Sequence, residues 1–367
     1  MLIISLLGRR DHPTDGVVDY CRFLSQAFAS RGIDSAADQV NWEEVGWGRA
    51  LWDLWRKSAT WRGDWTLVQY TALMWSRHGF SFGFLLVLLV LRLHHARMAM
   101  VFHDPEPYSG QRLVDRLRRA CQLLVVRLAY RLSDRSILNV PLESVSWLSP
   151  QPKKANFIPV AANIPLANCG KGVPPANAND EDGHATASTI AVFAITDAGD
   201  ISREVADIAF AATAAAERLP RVRLLTLGRG SVESEASFRQ ALKGSPVEFN
   251  ALGILPAAEV SRVLSSSDVS LFVRGTISTR RGSAMASIAC GVPLVAYADA
   301  YLPAPLAEAG VLGVRYRDRE ALAGAAVRVL SDRKLWAELH NRSGRAHQTY
   351  FSWEAVAARF VEVLNHA

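Results

Sequence analysis

The sequence predicts an α/β protein built from two doubly wound domains, and three observations carry that prediction. Apolar runs of strand length alternate with helical patterns along most of the chain, which is the signature of parallel sheets covered by helices. The alternation is interrupted once, after Pro165, by the Gly-, Pro-, Asn- and Asp-rich stretch "NCGKGVPPANANDEDGHATAS", and then starts again. A length of 367 residues with half of them apolar exceeds one ordinary core and fills two.

In order along the first half, "LIISLLG" reads as a buried first strand, since its apolar run is too short for a signal peptide and its charges follow it. "GVVDYCRFLSQAFASRG" follows as an amphipathic helix. "WTLVQY", "MAMVFHD", "SILNV" and "ANFIPV" are further strands. Between them "FGFLLVLLVLRL" ends at Arg92, short of the ~18–20 apolar residues of a spanning helix, and is expected as a core helix. Of the tryptophans concentrated between Trp42 and Trp75, most are expected to fill core. The second half repeats the scheme with "TIAVFAIT", an alanine-rich helix over about 203–218, "VRLLTLGRG", "VEFNALG", "SDVSLFV" and "GVPLVAYA".

Residues 1–165 carry 20 Lys and Arg against 14 Asp and Glu, while residues 166–367 carry 21 of each, so the whole net charge of +6 belongs to the first half. Much of it lies on the helical pattern "RLVDRLRRACQLLVVRLAYRLSDR", where Arg112, Arg116, Arg119, Arg127 and Arg131 surround an apolar face. Such a helix suits either an anionic membrane surface or an ordinary solvated face. Basic aromatic segments also bind nucleic acid, but acids are interspersed and no binding motif accompanies them, so no nucleic-acid partner is expected. Cys21, Cys121, Cys169 and Cys290 show no CxxC or metal-ligand spacing, which predicts reduced thiols in a cytosolic protein.

Ligands of such domains bind at the carboxyl ends of strands. Gly16 lies between the first strand and its helix, where a small residue admits a ligand or simply makes a turn. His103 and Asp104 follow a strand directly, and Pro105 and Pro107 turn the chain outward, so His103 meets a substrate or hydrogen-bonds its own loop. In the second half Gly228, Arg229 and Gly230 end a strand, and Gly253 makes a turn. The segment "ISTRRGSAMASIACGVPLVAYAD" then places Arg280 and Arg281 ahead of a helix opened by Gly282. Free N–H groups and the helix dipole favour an anion there.

The order strand–GxG, then "V.F.G....EV...L...DV.LF", then "A.A.GVPLVA" resembles the nucleotide domain of retaining family 4 glycosyltransferases of the GT-B fold. The glycine loop, the "HD" after a strand and the closing "FSWEAVAARFVEVL" extend the resemblance over nearly the whole chain. It implies two Rossmann-like domains facing across a cleft: an acceptor domain over 1–165, a linker over 166–187, a nucleotide-sugar domain over 188–348, and a last helix over 349–367 returning to the first domain. It also implies that Gly228, Gly230, Gly253 and Leu255 border the base. Arg274, Ser278, Thr279, Gly282 and Ser283 would meet ribose, diphosphate and sugar, with Gly16 and His103 contributing from the other domain.

The sequence departs from that family where two glutamates eight residues apart are expected, since Ser278 and Ala286 stand there. The basic pair usual after the first strand of this domain is also displaced, with Thr196 at one place and Arg203 near the other. Arg280 and Arg281 are the candidate replacements, because arginine pairs bidentately with phosphate oxygens. The expectation is a cytoplasmic, metal-independent, retaining glycosyltransferase with no cofactor, peripheral on the inner face of the cell membrane. It would move a sugar from a nucleotide sugar to a glycan or lipid-linked acceptor in polysaccharide or glycoconjugate synthesis. The rival expectation is a non-catalytic GT-B-like module in such a pathway.

Overall fold

The computed structural model describes residues 2–10, 15–165, 187–195 and 201–365. The expected linker, apart from residue 187, and Thr196 lie outside the described residues. The chain forms two compact units, one of Met1–Val160 with Trp353–Ala367 and one of Ala161–Ser352.

The first unit is a parallel sheet of β1 (Leu2–Leu7), β2 (Asp34–Gln39), β3 (Trp65–Tyr70), β4 (Arg97–Phe102), β5 (Arg135–Leu138) and β6 (Ala155–Phe157). The order is β2-β1-β3-β4-β5-β6, so the winding reverses between β1 and β3. β3 is buried at every residue, as a central parallel strand with helices on both faces should be. Its helices are α1 (Gly16–Ala29), the short α2 (Trp42–Val45), α3 (Trp47–Ser58), α4 (Phe82–Leu93) and α5 (Leu113–Leu132). Trp65 and Trp75 are fully buried and Trp42 and Trp61 nearly so, but Trp52 and Trp55 are exposed.

The second unit contains β7 (Ser188–Phe193), α6 (Ile201–Ala216), β8 (Val222–Leu227), α7 (Glu235–Ala241), β9 (Glu248–Ala251), α8 (Ala257–Ser265), β10 (Val269–Phe272), α9 (Gly282–Ala289), β11 (Leu294–Ala298), α10 (Ala304–Glu308), β12 (Leu312–Arg315), α11 (Arg319–Ser331) and α12 (Arg333–Ala346). Its sheet, also parallel, runs β12-β11-β10-β7-β8-β9, with the reversal between β7 and β10. One apolar cluster lies on each face of this sheet, the first dominated by alanines of α6 and residues of α11, the second by α8 and α9.

The last helix, α13 (Trp353–Asn365), belongs to the first unit. Trp353 stacks on Phe23 at 5.7 Å, Phe360 meets Phe28 edge-on, and Arg31 donates to the Glu354 carbonyl at 3.0 Å.

Two expectations need correction. α4 is not wholly core: Phe84, Val87, Leu88 and Leu91 are fully buried, yet Phe82, Leu86, Leu89 and Leu93 are about half exposed. A helix that is apolar all round hides which side faces inward. The cysteines are not uniformly reduced either. Cys21 and Cys121 are free, whereas Cys290 is disulfide-bonded; Cys169 lies outside the described residues. Pairing depends on the distance between Cα atoms in space, which sequence spacing does not report.

Candidate functional site

At the carboxyl edge of the second sheet the ends of β7, β8 and β9 are tied together by backbone. Ala194 N–H donates to Leu227 O at 2.7 Å, Ile195 N–H to Arg229 O at 2.9 Å, and Gly228 N–H to Gly253 O at 2.6 Å. These contacts explain the glycines. Gly228 and Gly230 have φ of +82° and +75°, and a Cβ on Gly230 would come within 2.6 Å of Ile195 O. Their first role is therefore to let adjacent strand ends close on one another. Ala194 itself holds φ +70°, a left-handed conformation that costs an alanine energy and that clusters at functional sites. Beside this edge Val232 and Ile254 expose apolar side chains, and Leu255 packs onto the cluster that contains Ile277.

The loop after β10 is shaped by a tight turn in which Gly275 N–H donates to Val273 O at 2.9 Å. It is anchored where Ile277 N–H donates to Tyr297 O at 2.7 Å. Thr279 is fully buried, while Arg274, Thr276, Ser278, Arg280, Arg281, Gly282 and Ser283 are half-buried, so Thr276 and the two serines are the loop hydroxyls open to a ligand. The loop delivers the chain into α9 with Arg281 as N-cap and no side chain capping the helix. The first-turn N–H groups of a helix have no intrahelical acceptor, and Gly282 leaves open space where a Cβ would stand.

Burial decides the electrostatics of the two arginines. Burial, and then the neighbouring Arg281 charge, lower the Arg280 pKa to about 10, so its guanidinium stays protonated near neutrality but is held at a cost. Arg281 is lowered by burial too, but Glu204 opposes this. Glu204 sits on α6 and is 3% exposed. It is the acidic partner of the loop that sequence reasoning misses, since nothing near "TRRG" signals it.

Around Glu204, α6 also places Arg203 and Asp207 in a buried polar network. Arg203 donates to Tyr316 Oη at 2.7 Å and lies over the Tyr316 ring. The Tyr297 hydroxyl donates to Asp207 at 2.9 Å, and burial together with that carboxylate pushes the Tyr297 pKa up. Arg203, the candidate for the displaced basic pair, is thus engaged with Tyr316. Ala286, set by the resemblance at the second glutamate position, is 1% exposed inside the apolar cluster under α9, whereas Ser278 remains in the loop.

The first-unit candidates occupy a different setting. Gly16 opens α1 with nothing within 4 Å of where a Cβ would stand, but the Asp15 carboxylate already accepts from Val17 N–H at 2.8 Å and Val18 N–H at 3.2 Å. Gly16 offers space there while Asp15 supplies the negative charge. His103 shares a 2.8 Å hydrogen bond with the Gln69 side chain and meets Tyr20 edge-on. Burial lowers its pKa to about 4, against the pull of Asp15 and Asn139, so the imidazole is neutral at physiological pH. Among the described residues no three His, Cys, Asp or Glu side chains group as metal ligands, and no helix is long and apolar enough to cross a membrane.

Two doubly wound parallel units of this kind define a GT-B α/β fold, and comparison with known proteins agrees at that level. No protein-family model matches the chain, and no curated protein does. Solved structures match over its full length. Sucrose-phosphate synthase from Thermosynechococcus elongatus is similar with TM-score 0.68 and 18% identity, covering 100% of this chain and 98% of the other. Anabaena HepE in complex with UDP and glucose gives 0.66 and 13%, covering both chains fully. WaaG, a glycosyltransferase involved in lipopolysaccharide biosynthesis, gives 0.62 and 14%, again with both chains covered. At such identities the likeness is one of fold.

Proposed function

We propose that the protein is a glycosyltransferase that holds a nucleotide sugar at the carboxyl edge of its second sheet and passes the sugar to a glycan or lipid-linked acceptor. The observation that carries this is the uncapped start of α9, fronted by two partly desolvated arginines beside a strand-order reversal. Nucleoside diphosphate is the natural anion for it, and the fold likeness to HepE, whose structure holds UDP and glucose, supports the choice.

In this reading the reaction is retaining and metal-independent. Arg280, Arg281 and the α9 N–H groups stabilise the leaving diphosphate, Arg274 adds positive charge, and Ser278 and Ser283 bond sugar or ribose hydroxyls. Thr279 keeps the loop's shape. The bond from the anomeric carbon to the diphosphate breaks, the bond to the acceptor oxygen forms, and a diphosphate oxygen receives the acceptor's proton. Gly228, Gly230, Gly253 and Leu255 border the base. The first unit takes the acceptor, with Gly16 and His103 as substrate contacts, and the protein works on the cytoplasmic side of the membrane in polysaccharide or glycoconjugate synthesis.

The test is calorimetric titration with UDP and GDP, followed by a transfer and hydrolysis assay on UDP-, GDP- and dTDP-sugars. Arg280→Ala is expected to weaken nucleoside-diphosphate binding by about 1.5–3 kcal/mol, or roughly ten- to a hundredfold. Unchanged affinity in that variant would remove the assignment. A second reading, a non-catalytic nucleotide- or glycan-binding module, is favoured by Ser278 and by the core placement of Ala286. Its mark is nucleotide binding that depends on Arg280 with no turnover of any donor.

A further inference from the structure

Unpartnered apolar surface is concentrated on two neighbouring helices of the first unit. On α4, Phe82, Leu86, Leu89 and Leu93 follow an i, i+4, i+7, i+11 spacing and are 47–54% exposed. On α5, Leu113, Leu117 and Leu124 share the same spacing with exposures of 82%, 60% and 50%. The helices lie side by side. Arg92 in the last turn of α4 donates to Leu132 O of α5 at 2.7 Å and pairs with Asp134 at 2.8 Å, and Gln122 of α5 donates to Gly79 O just ahead of α4. On the other flank, Gly83 of α4 is covered by the Trp47 ring of α3. A scattered exposed leucine means nothing, but two matched stripes on packed helices form a patch that soluble surfaces rarely leave bare.

The charges say what covers it. Arg116, Arg119, Arg127 and Arg131 are exposed on α5, and α4 carries no acid. The single acid of α5, Asp115, is buried, accepting from Arg112 N–H at 3.1 Å and pairing with Arg118 at 3.2 Å. A second copy docked through a two-fold axis would set this arginine-rich face against itself, which is repulsive. An anionic bilayer surface complements both features: leucine and phenylalanine side chains enter the headgroup–acyl boundary while the arginines meet lipid phosphates. We propose that α4 and α5 together form the protein's docking face for an anionic membrane surface, lying in the plane of the interface with the exposed leucines inserted. The proposal rests on the first unit alone and is independent of the nucleotide reading.

The experiment is co-sedimentation of the full chain with vesicles of phosphatidylglycerol in phosphatidylcholine and with vesicles of phosphatidylcholine alone, at low and high salt. Partitioning is expected to be at least about tenfold stronger on the anionic vesicles and to weaken with salt. Leu86→Glu with Leu117→Glu, and separately Arg119→Glu with Arg127→Glu, should each reduce anionic binding by about tenfold or more while leaving circular dichroism unchanged. All four positions are exposed, so neither variant opens the core. The proposal is overturned if neutral and anionic vesicles bind equally, if both variants bind as the wild type does, or if sedimentation velocity shows a dimer that these substitutions dissolve. No nucleotide enters the assay, so its failure leaves the donor site untouched.

Discussion

The two units wind the same kind of sheet but finish their strand-order reversals in opposite ways. In the first unit the edge is closed by its own chain: Arg9 N–H donates to Met74 O at 2.9 Å, and a Cβ on Gly8 would meet that same oxygen at 2.5 Å. The nearest helix start, that of α1, is neutralised by Asp15. In the second unit α9, which follows the other strand of the reversal, β10, starts with no side-chain cap and has two arginines there. In the proposed reading, the arginine-bearing start of α9 favours an anion and the carboxylate-capped start of α1 disfavours one.

The sharpest way to break this contrast is to give the second unit the cap of the first. Arg281→Asp places a carboxylate where it can accept from the first-turn N–H groups of α9, removes a guanidinium and sets a negative charge near buried Glu204. Nucleoside-diphosphate affinity should fall by more than about 3 kcal/mol, over a hundredfold, since a charge-assisted pair is lost and a like charge replaces it. Titration calorimetry with UDP checks this. An affinity within a fewfold of the wild type would mean that the start of α9 does not hold the anion.

Much of this contrast is half-legible in the sequence. The alternation of apolar runs shows both sheets, because strands buried on both faces need continuous apolar stretches such as that of β11. "TRRG" marks the loop and the helix start. What stays hidden are partners brought together only by folding: Glu204 and Asp207 lie on the alanine-rich face of α6 and look like ordinary surface acids of an amphipathic helix, yet both are buried. The outward leucines of α4 are equally hidden, because a uniformly apolar helix has no periodicity to orient it. Conversely, Gly228 and Gly230 suggest ligand approach, while the structure shows that the end of β7 already requires them.

Acid separates the units by the sign of their response. His103 in the first unit has a folded pKa of about 4 against an ordinary value near 6.5. The unfolded chain therefore binds more protons between those values, and stability present above pH ~6.5 is lost as pH falls through ~4, by up to about 3 kcal/mol. Asp268 in the second unit is raised by burial to about 6, even though it accepts from Thr189 N–H at 2.6 Å. Its contribution runs the other way, full below pH ~3.8 and lost as pH rises through ~6. Between pH 6.5 and 4 the first unit should weaken relative to the second. Every tryptophan except Trp336 lies in the first unit, so tryptophan fluorescence follows that unit, and amide hydrogen exchange follows both. Parallel pH responses of the two units would dismiss the contrast.

The smallest expected effect tests the first unit's edge alone. Asp15→Ala removes the acceptor for Val17 and Val18 N–H and leaves the start of α1 uncapped. The cost should be about 1 kcal/mol, the usual value for losing an aspartate cap, and it should appear as a lower urea midpoint with an unchanged slope. The same change lifts a negative charge from the surroundings of His103, so the His103 pKa should fall further below its already depressed value, as NMR titration would register. UDP affinity should stay as in the wild type, because in this reading the diphosphate belongs to α9 and not to α1. If Asp15→Ala instead raised UDP affinity severalfold, the uncapped α1 start would be acting on the phosphate. The two edges would then differ only by one removable carboxylate rather than by the arginine-bearing loop that distinguishes the second unit.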